Sequence, residues 1–301
     1  MDFGRIDKSL LDTIDFSLPP DHTQTNNILS HNKKTSKPQI HVGCAKWGRT
    51  DWVGKIYPQG TKATNFLNEY AKQFDCIEFN AVYYGLPTLQ QIKLWKSKVG
   101  KDFKFCPKFT DVITHQKRLK NIEQELDAFL TTIHEFGNHL GPIFFMPHPQ
   151  MGPEQMSVIL SFLELLPKDL NVFVEFRHKE WFQKNNADII FPILENLKRG
   201  TVITDTAGRR DCLHMRLTTP EAFIRFVGNS LHKSDYERID EWVERLKQWL
   251  DNGLQRCYFF VHQHEELFSP ELCKYLIEQL NSKCAASIKV PKFFNEGLLF
   301  S

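Results

Sequence analysis

An alternation constrains this sequence more than any other feature. From residue 39 onward, short apolar runs recur with helical stretches between them. The runs are QIHVGCA (39–45), CIEFN (76–80), FKFCP (103–107), PIFFM (142–146), NVFVEF (171–176), TVITD (201–205), AFIRFV (222–227) and CYFFVH (257–262). All have strand length, and most are rich in β-branched or aromatic residues. Between them, TNFLNEYAKQF (64–74) lines up Phe66, Leu67, Tyr70 and Phe74 on one helical stripe, and TLQQIKLWKSKV (88–99) does the same with Leu89, Ile92 and Trp95. The pattern recurs at 122–136, 153–166, 188–198 and 239–252, and at 269–283, where Ser269 is the expected N-cap with Pro270 behind it. Strands alternating with helices select a parallel sheet. Eight such units in roughly 250 residues have the size and count of a (β/α)8 barrel. The expected fold is therefore α/β, a (β/α)8 TIM-like barrel. An open doubly wound sheet is the alternative, but it usually has fewer strands, and no GxGxxG follows the first run.

Outside this rhythm, residues 1–38 are polar and aperiodic and read as an irregular N-terminal arm. The barrel is expected over 39–285, and 286–301 form a tail. The first residues, MDFGRIDKSLLDTIDF, lack the apolar core of a secretory signal, and no run approaches the ~18 apolar residues of a membrane span. The seven cysteines are odd in number and widely spaced without a CxxC, so they read as reduced core residues of a cytoplasmic protein. A formal net charge of +2 points to no bulk electrostatic partner. The oligomeric state is not encoded in any of these features.

Functional chemistry is expected at the ends of the strands, because side chains at the C-terminal ends of parallel strands converge on one face. In NVFVEFRHKEWF (171–182), Phe173, Glu175 and Arg177 share a face. A dry core does not hold unpaired charges, so Glu175 and Arg177 belong at the mouth. The other exits are similarly equipped. They offer Lys46 and Trp47 after the first run, Glu78 and Asn80 in the second with Tyr83 beyond, and Lys108 and His115 after the third. His148 follows the fourth, Asp205 ends the sixth, Arg225 lies in the seventh, and His262 and His264 end the eighth.

The pieces VGCAKW, YYGLP after IEFN, KFTDVITH, LGPIFFMPHPQM, FVEFRHKEWF, ITDTAG, FIRFVG and DEWVERLKQWL occur in an order and spacing that resemble the YecE-like family, domain-of-unknown-function family 72, over roughly residues 39–285. The resemblance implies a TIM-like barrel and carries no assigned activity. The chain departs from the family pattern at Ala45-Lys46-Trp47, where many members have Ser-Gly-Trp, and at His262-Gln263-His264, where many have an Asn-Asp pair.

Three readings of the mouth follow. In the first, an enzyme acts by acid–base chemistry on a small anionic or sugar-like substrate. Glu78 and Glu175 are its acid–base pair, with Asp205 or His262 orienting groups or shuttling protons. Arg177, Arg225 and Lys108, with Lys46, hold the anion. Asn80, His115, Trp47, Tyr83 and Trp181 add hydrogen bonds and stacking surface. This reading needs no cofactor. In the second, His262 and His264 with carboxylates hold zinc or manganese in a nuclease or phosphoesterase, and the basic stretches THQKRLKN (114–121) and GRR (208–210) touch nucleic acid. In the third, the same mouth binds a metabolite without catalysis. A structural role stands beside each residue: Glu175 braces the rim by pairing with Arg177 or Arg225, Trp181 covers a helix top, and Trp95, Trp242 and Trp249 fill the core.

Overall fold

The computed structural model describes residues 3–31 and 38–294; parts of the expected arm and tail (1–2, 32–37 and 295–301) lie outside the described residues. All eight apolar runs form strands: β1 (Gln39–Cys44), β2 (Cys76–Phe79), β3 (Lys104–Pro107), β4 (Ile143–Phe145), β5 (Val172–Val174), β6 (Gly200–Asp205), β7 (Glu221–Gly228) and β8 (Arg256–Gln263). The helices are α1 (Thr23–His31), α2 (Phe66–Ala71), α3 (Ala81–Tyr84), α4 (Leu89–Ser97), α5 (Glu123–His134), α6 (Met156–Leu165), α7 (Lys184–Asn196), α8 (Lys233–Asn252) and α9 (Ser269–Lys283).

The strands do not close into the expected eight-stranded TIM-like barrel. Ladders join six of them in the order β1-β8-β7-β6-β5-β4, an open, curled parallel sheet, and β2 pairs separately with β3. The physical reason at one seam is Tyr70 of α2. Its hydroxyl accepts from the Cys44 N–H (2.8 Å) and donates to the Cys76 carbonyl (2.9 Å). Those are the groups with which β1 and β2 face each other there, so a side chain stands where a ladder bond would form. At the other seam only isolated bridges connect β3 to the segment containing β4, at Phe105–Leu140 and Lys108–Phe144.

Alternation along the strands makes two apolar layers. One face of the curled sheet gathers Cys76, Cys106, Phe144, Phe173, Val202, Phe223, Tyr258 and Phe260 into a small inner cluster. Their neighbours in sequence, among them Ile77, Phe105, Phe145, Val174, Ile203, Ile224 and Phe259, join the main core with the helices. Gly200 belongs to this packing, since a Cβ there would lie 2.3 Å from the Phe173 ring.

Three local expectations differ from the structure. The arm holds a short 3-10 helix at Lys8–Thr13 and the α-helix α1. It is tied down by Thr25, whose buried hydroxyl donates to the Met215 carbonyl and accepts from Leu217 N–H. Helix α8 starts at Lys233, earlier than the apolar stripe indicates, with the His232 ring accepting from Ser234 N–H. Phe268, not Ser269, is the N-cap of α9; Ser269 is its first residue and its hydroxyl donates to Glu266. The seven cysteines are free, and six are buried. Among the described residues no helix is long and apolar enough to cross a membrane.

Candidate functional site

One step of the strand period converts the inner cluster into a charged layer. Two residues beyond the inner side chains Cys76, Cys106, Phe173, Val202, Phe223 and Phe260 lie Glu78, Lys108, Glu175, Thr204, Arg225 and His262. Residues i and i+2 share a face, so these side chains meet above the apolar floor. Arg177 lies one further step along from Glu175.

Arg225 is the centre of this layer. Its Nε and Nη2 donate to Glu78 Oε2 and Oε1, both at 2.8 Å, and its Nη1 donates to Glu175 Oε1 and Oε2 at 2.9 and 2.8 Å. Glu175 Oε1 also accepts from Arg177 Nε (2.9 Å) and the Thr204 hydroxyl (3.0 Å). Glu78 accepts from Asn80 Nδ2 (2.8 Å) and lies 2.9 Å from His262 Nε2. Burial would raise the carboxyl of Glu175, but Arg177, Arg225 and Lys108 outweigh it and hold it down at about 2. Glu78 is likewise buried, and Arg225 and His262 hold it well below the usual carboxylate range. Burial would lower His262, but Glu78 and Glu266 raise it. Both carboxylates are thus ionised and already bonded.

Lys108 has no such partner. It is 8% exposed, and its ammonium lies 3.8 Å from the centre of the Tyr83 ring. It makes no side-chain hydrogen bond or ion pair among the described residues. Burial, then the charge of Arg225, pushes it down to about 7. Arg177 donates through Nε, leaving its terminal nitrogens without hydrogen bonds among the described residues. Nearby, the Tyr83 hydroxyl donates to Asp111 (2.9 Å). His115 Nδ1 lies 2.8 Å from the Thr114 hydroxyl, and its ring stands 5.3 Å from that of His148. Burial, Lys108 and His148 together push His115 down to about 4.

Other residues expected at the mouth lie elsewhere. Asp205 is one residue out of phase with Thr204, so it faces α8, where it is bonded by Arg238, Arg210 and Trp242. Trp181 is fully buried, stacks on Phe176 and donates to the Met151 carbonyl. Trp47 stacks on Phe79 and meets Trp95 edge-on, while Lys46 is exposed. His264 lines a separate cavity of about 570 Å³ with Arg5, Asp7, Lys8, Asn229 and Glu265. Among the described residues no three His, Cys, Asp or Glu side chains are grouped to hold a metal ion. The GRR stretch is engaged within the fold, with Arg209 donating to Asp211 and the Arg177 carbonyl, and Arg210 to Asp205 and the Phe16 carbonyl.

Phe3 also belongs to the rim, although no motif in the sequence marks it. Its ring lies 4.0 Å from the Arg177 guanidinium and 5.0 Å from that of Arg209. The Thr206 hydroxyl and Gly208 N–H donate to the Gly4 carbonyl, at 3.3 and 2.8 Å. The start of the arm thus lies on the rim. No periodicity marks such a contact; the only signal is an aromatic in a polar segment.

The family described as "Protein of unknown function DUF72" matches residues 41–293, as the motif resemblance led one to expect. The UPF0759 protein YecE of Escherichia coli strain K12 is 28% identical over 286 residues, covering 87% of this chain and 100% of that protein. The crystal structure of a DUF72 family protein from Enterococcus faecalis V583 has a TM-score of 0.66 at 18% identity, covering 81% of this chain and 98% of that one. Another from Thermotoga maritima MSB8 has a TM-score of 0.64 at 20% identity, covering 81% and 99%. These structures share its fold.

Proposed function

The chain belongs to the DUF72 family, and we propose that it is an enzyme holding a small anionic substrate between Arg177 and Lys108 at the mouth of its curled sheet. The observation that carries this reading is the unpartnered amine of Lys108. Glu78, Glu175 and Glu266 are already bonded by Arg225, Arg177 and His262. Lys108 is then left in a buried layer with no carboxylate to bond, beside the free edge of a guanidinium. An oxyanion satisfies both, accepting paired N–H bonds from the fork of Arg177 and a point charge from Lys108.

Proton transfer falls to Lys108, in place of the expected pair Glu78 and Glu175. A group titrating near neutrality gives and takes protons most readily, whereas a carboxylate bonded on both oxygens and held near 2 does neither. The two glutamates instead position Arg225 and Arg177. Inorganic phosphate, titrated calorimetrically at low ionic strength, tests the reading. The native chain binds it, and Lys108→Met and Arg177→Met each weaken binding by roughly tenfold or more, the scale of one lost charge-assisted contact. Equal binding by all three chains, or none by the native one, overturns the reading. A metabolite-binding protein without catalysis would pass this test and fail any turnover screen.

A further inference from the structure

We propose that Lys108 is a nucleophilic amine, forming an imine with a substrate that carries a ketone or aldehyde next to an anionic group, as a 2-oxo acid does. The inference rests on the anion-binding reading above and adds the reaction. Its basis is how the amine is held. Lys108 follows directly on β3, and its backbone N–H donates to the Phe79 carbonyl (3.4 Å) in the bridge region with Phe144. The amine stands over the apolar floor, 3.8 Å from the Tyr83 ring centre and 6.0 Å from that of Phe144. A buried lysine normally ends on a carboxylate. Here Arg225 occupies both oxygens of Glu78 and of Glu175.

The charged and titratable groups around Lys108 come from every neighbouring element. Glu78 comes from β2 and Tyr83 from α3. Asp111 and His115 come from the turn after β3, Glu175 and Arg177 from the exit of β5, and Arg225 from β7. Burial and the two guanidiniums disfavour the ammonium more than the two glutamates favour it, bringing it to about 7. At neutral pH about half of Lys108 is then free amine, on the order of 10³ times the fraction of an ordinary lysine. A desolvated lysine beside other cations is the physical recipe for an amine nucleophile.

In the step itself, the Nζ lone pair forms a bond to the carbonyl carbon while the C=O π pair moves to oxygen. A proton passes from nitrogen to that oxygen through water, giving a carbinolamine. Protonation of its hydroxyl then releases water and leaves a protonated imine on Lys108. No oxidant or reductant is consumed. The new cation sits over the Tyr83 face and near Glu78 and Glu175, while the substrate's anionic group lies on Arg177.

The test is reductive trapping of the full chain. Pyruvate and, separately, glyoxylate are incubated with the protein near neutral pH, sodium cyanoborohydride is added, and the modified lysine is located by peptide mass. The expected result is labelling concentrated on Lys108, competed by phosphate and weakened roughly tenfold by Arg177→Met. Lys108→Arg keeps the charge, so it should bind phosphate but trap neither carbonyl, with circular dichroism confirming its fold. Phosphate binding without preferential label on Lys108 from either probe overturns this inference and leaves the anion-binding reading standing. Absence of both overturns the two together.

Discussion

Arg225 stands where two carboxylates would otherwise confront each other above an apolar floor. It contributes three nitrogens to four carboxylate oxygens, and burial leaves no water to replace it. Breaking a buried ion pair by removing one partner costs about 3–5 kcal/mol, because the remaining charge is uncompensated. Arg225→Met is expected to lower stability by that much, seen as a lower urea midpoint at unchanged slope. Arg225→Lys should recover only part, since an ammonium cannot face both carboxylates with paired bonds. The same geometry sets an acid response. Glu175 is held at about 2 against an ordinary value of 4.5. Its folded value is depressed, so its contribution is complete above about pH 4.5 and lost as the pH falls towards 2. That contribution is ~3 kcal/mol. Unfolding free energies measured from pH 5 to pH 2 should fall steeply for the native chain and less steeply for Glu175→Gln; equal slopes would show that Glu175 does not titrate in this way.

At the scale of elements, the seam between β1 and β2 depends on one hydroxyl. Tyr70 takes the Cys44 N–H and supplies a proton to the Cys76 carbonyl, both on fully buried residues. Gly43 lets the strands come close there, since a Cβ would lie 2.3 Å from the Cys76 carbonyl oxygen. Tyr70→Phe keeps the ring and orphans both groups, so it is expected to destabilise by about 1–3 kcal/mol. The check is the denaturation midpoint, and an unchanged midpoint would mean that β1 and β2 can pair directly once the hydroxyl is gone. Strand existence was legible because apolar runs and period-2 alternation are properties of the chain itself. Closure was not, because whether two strands share a ladder depends on a side chain from a helix between them. The same distinction applies to the site. Glu78, Lys108, Glu175, Arg225 and His262 were readable as strand-end residues on the inner face. Asp205 looked equivalent by position and is not, since a one-residue difference in phase sends it to Trp242 and Arg238. Helix α1, TQTNNILSH, shows no apolar stripe in the sequence: its buried residues are Thr25 and Leu29 alone, and a buried hydroxyl leaves no hydrophobic signature.

At the scale of the whole molecule, the arm connects distant parts of the chain. Asp21 accepts from Arg245 (2.5 Å) and Trp249 (2.9 Å) of α8, and Leu18 N–H donates to Glu241. From these anchors the chain reaches back to the rim, where Phe3 covers the guanidinium that the proposed anion would use. The last contact is held at Gly4, whose φ of +72° disfavours any side chain and whose Cβ would fall 2.3 Å from the Thr206 hydroxyl oxygen. Gly4→Ala therefore should release the first residues while the anchors at Leu18 and Asp21 stay in place. Hydrogen exchange is expected to rise around Phe3 to Ile6 and to stay unchanged in the strands, and the unfolding free energy should change by no more than ~1 kcal/mol, as for other loop contacts. With Phe3 displaced, Arg177 is open, so phosphate should associate faster with the Gly4→Ala chain than with the native one. Faster exchange without faster association would leave Phe3 as a packing contact only. Both together would make the arm a cover over the mouth, with access to Arg177 and Lys108 set by a segment far from them in sequence.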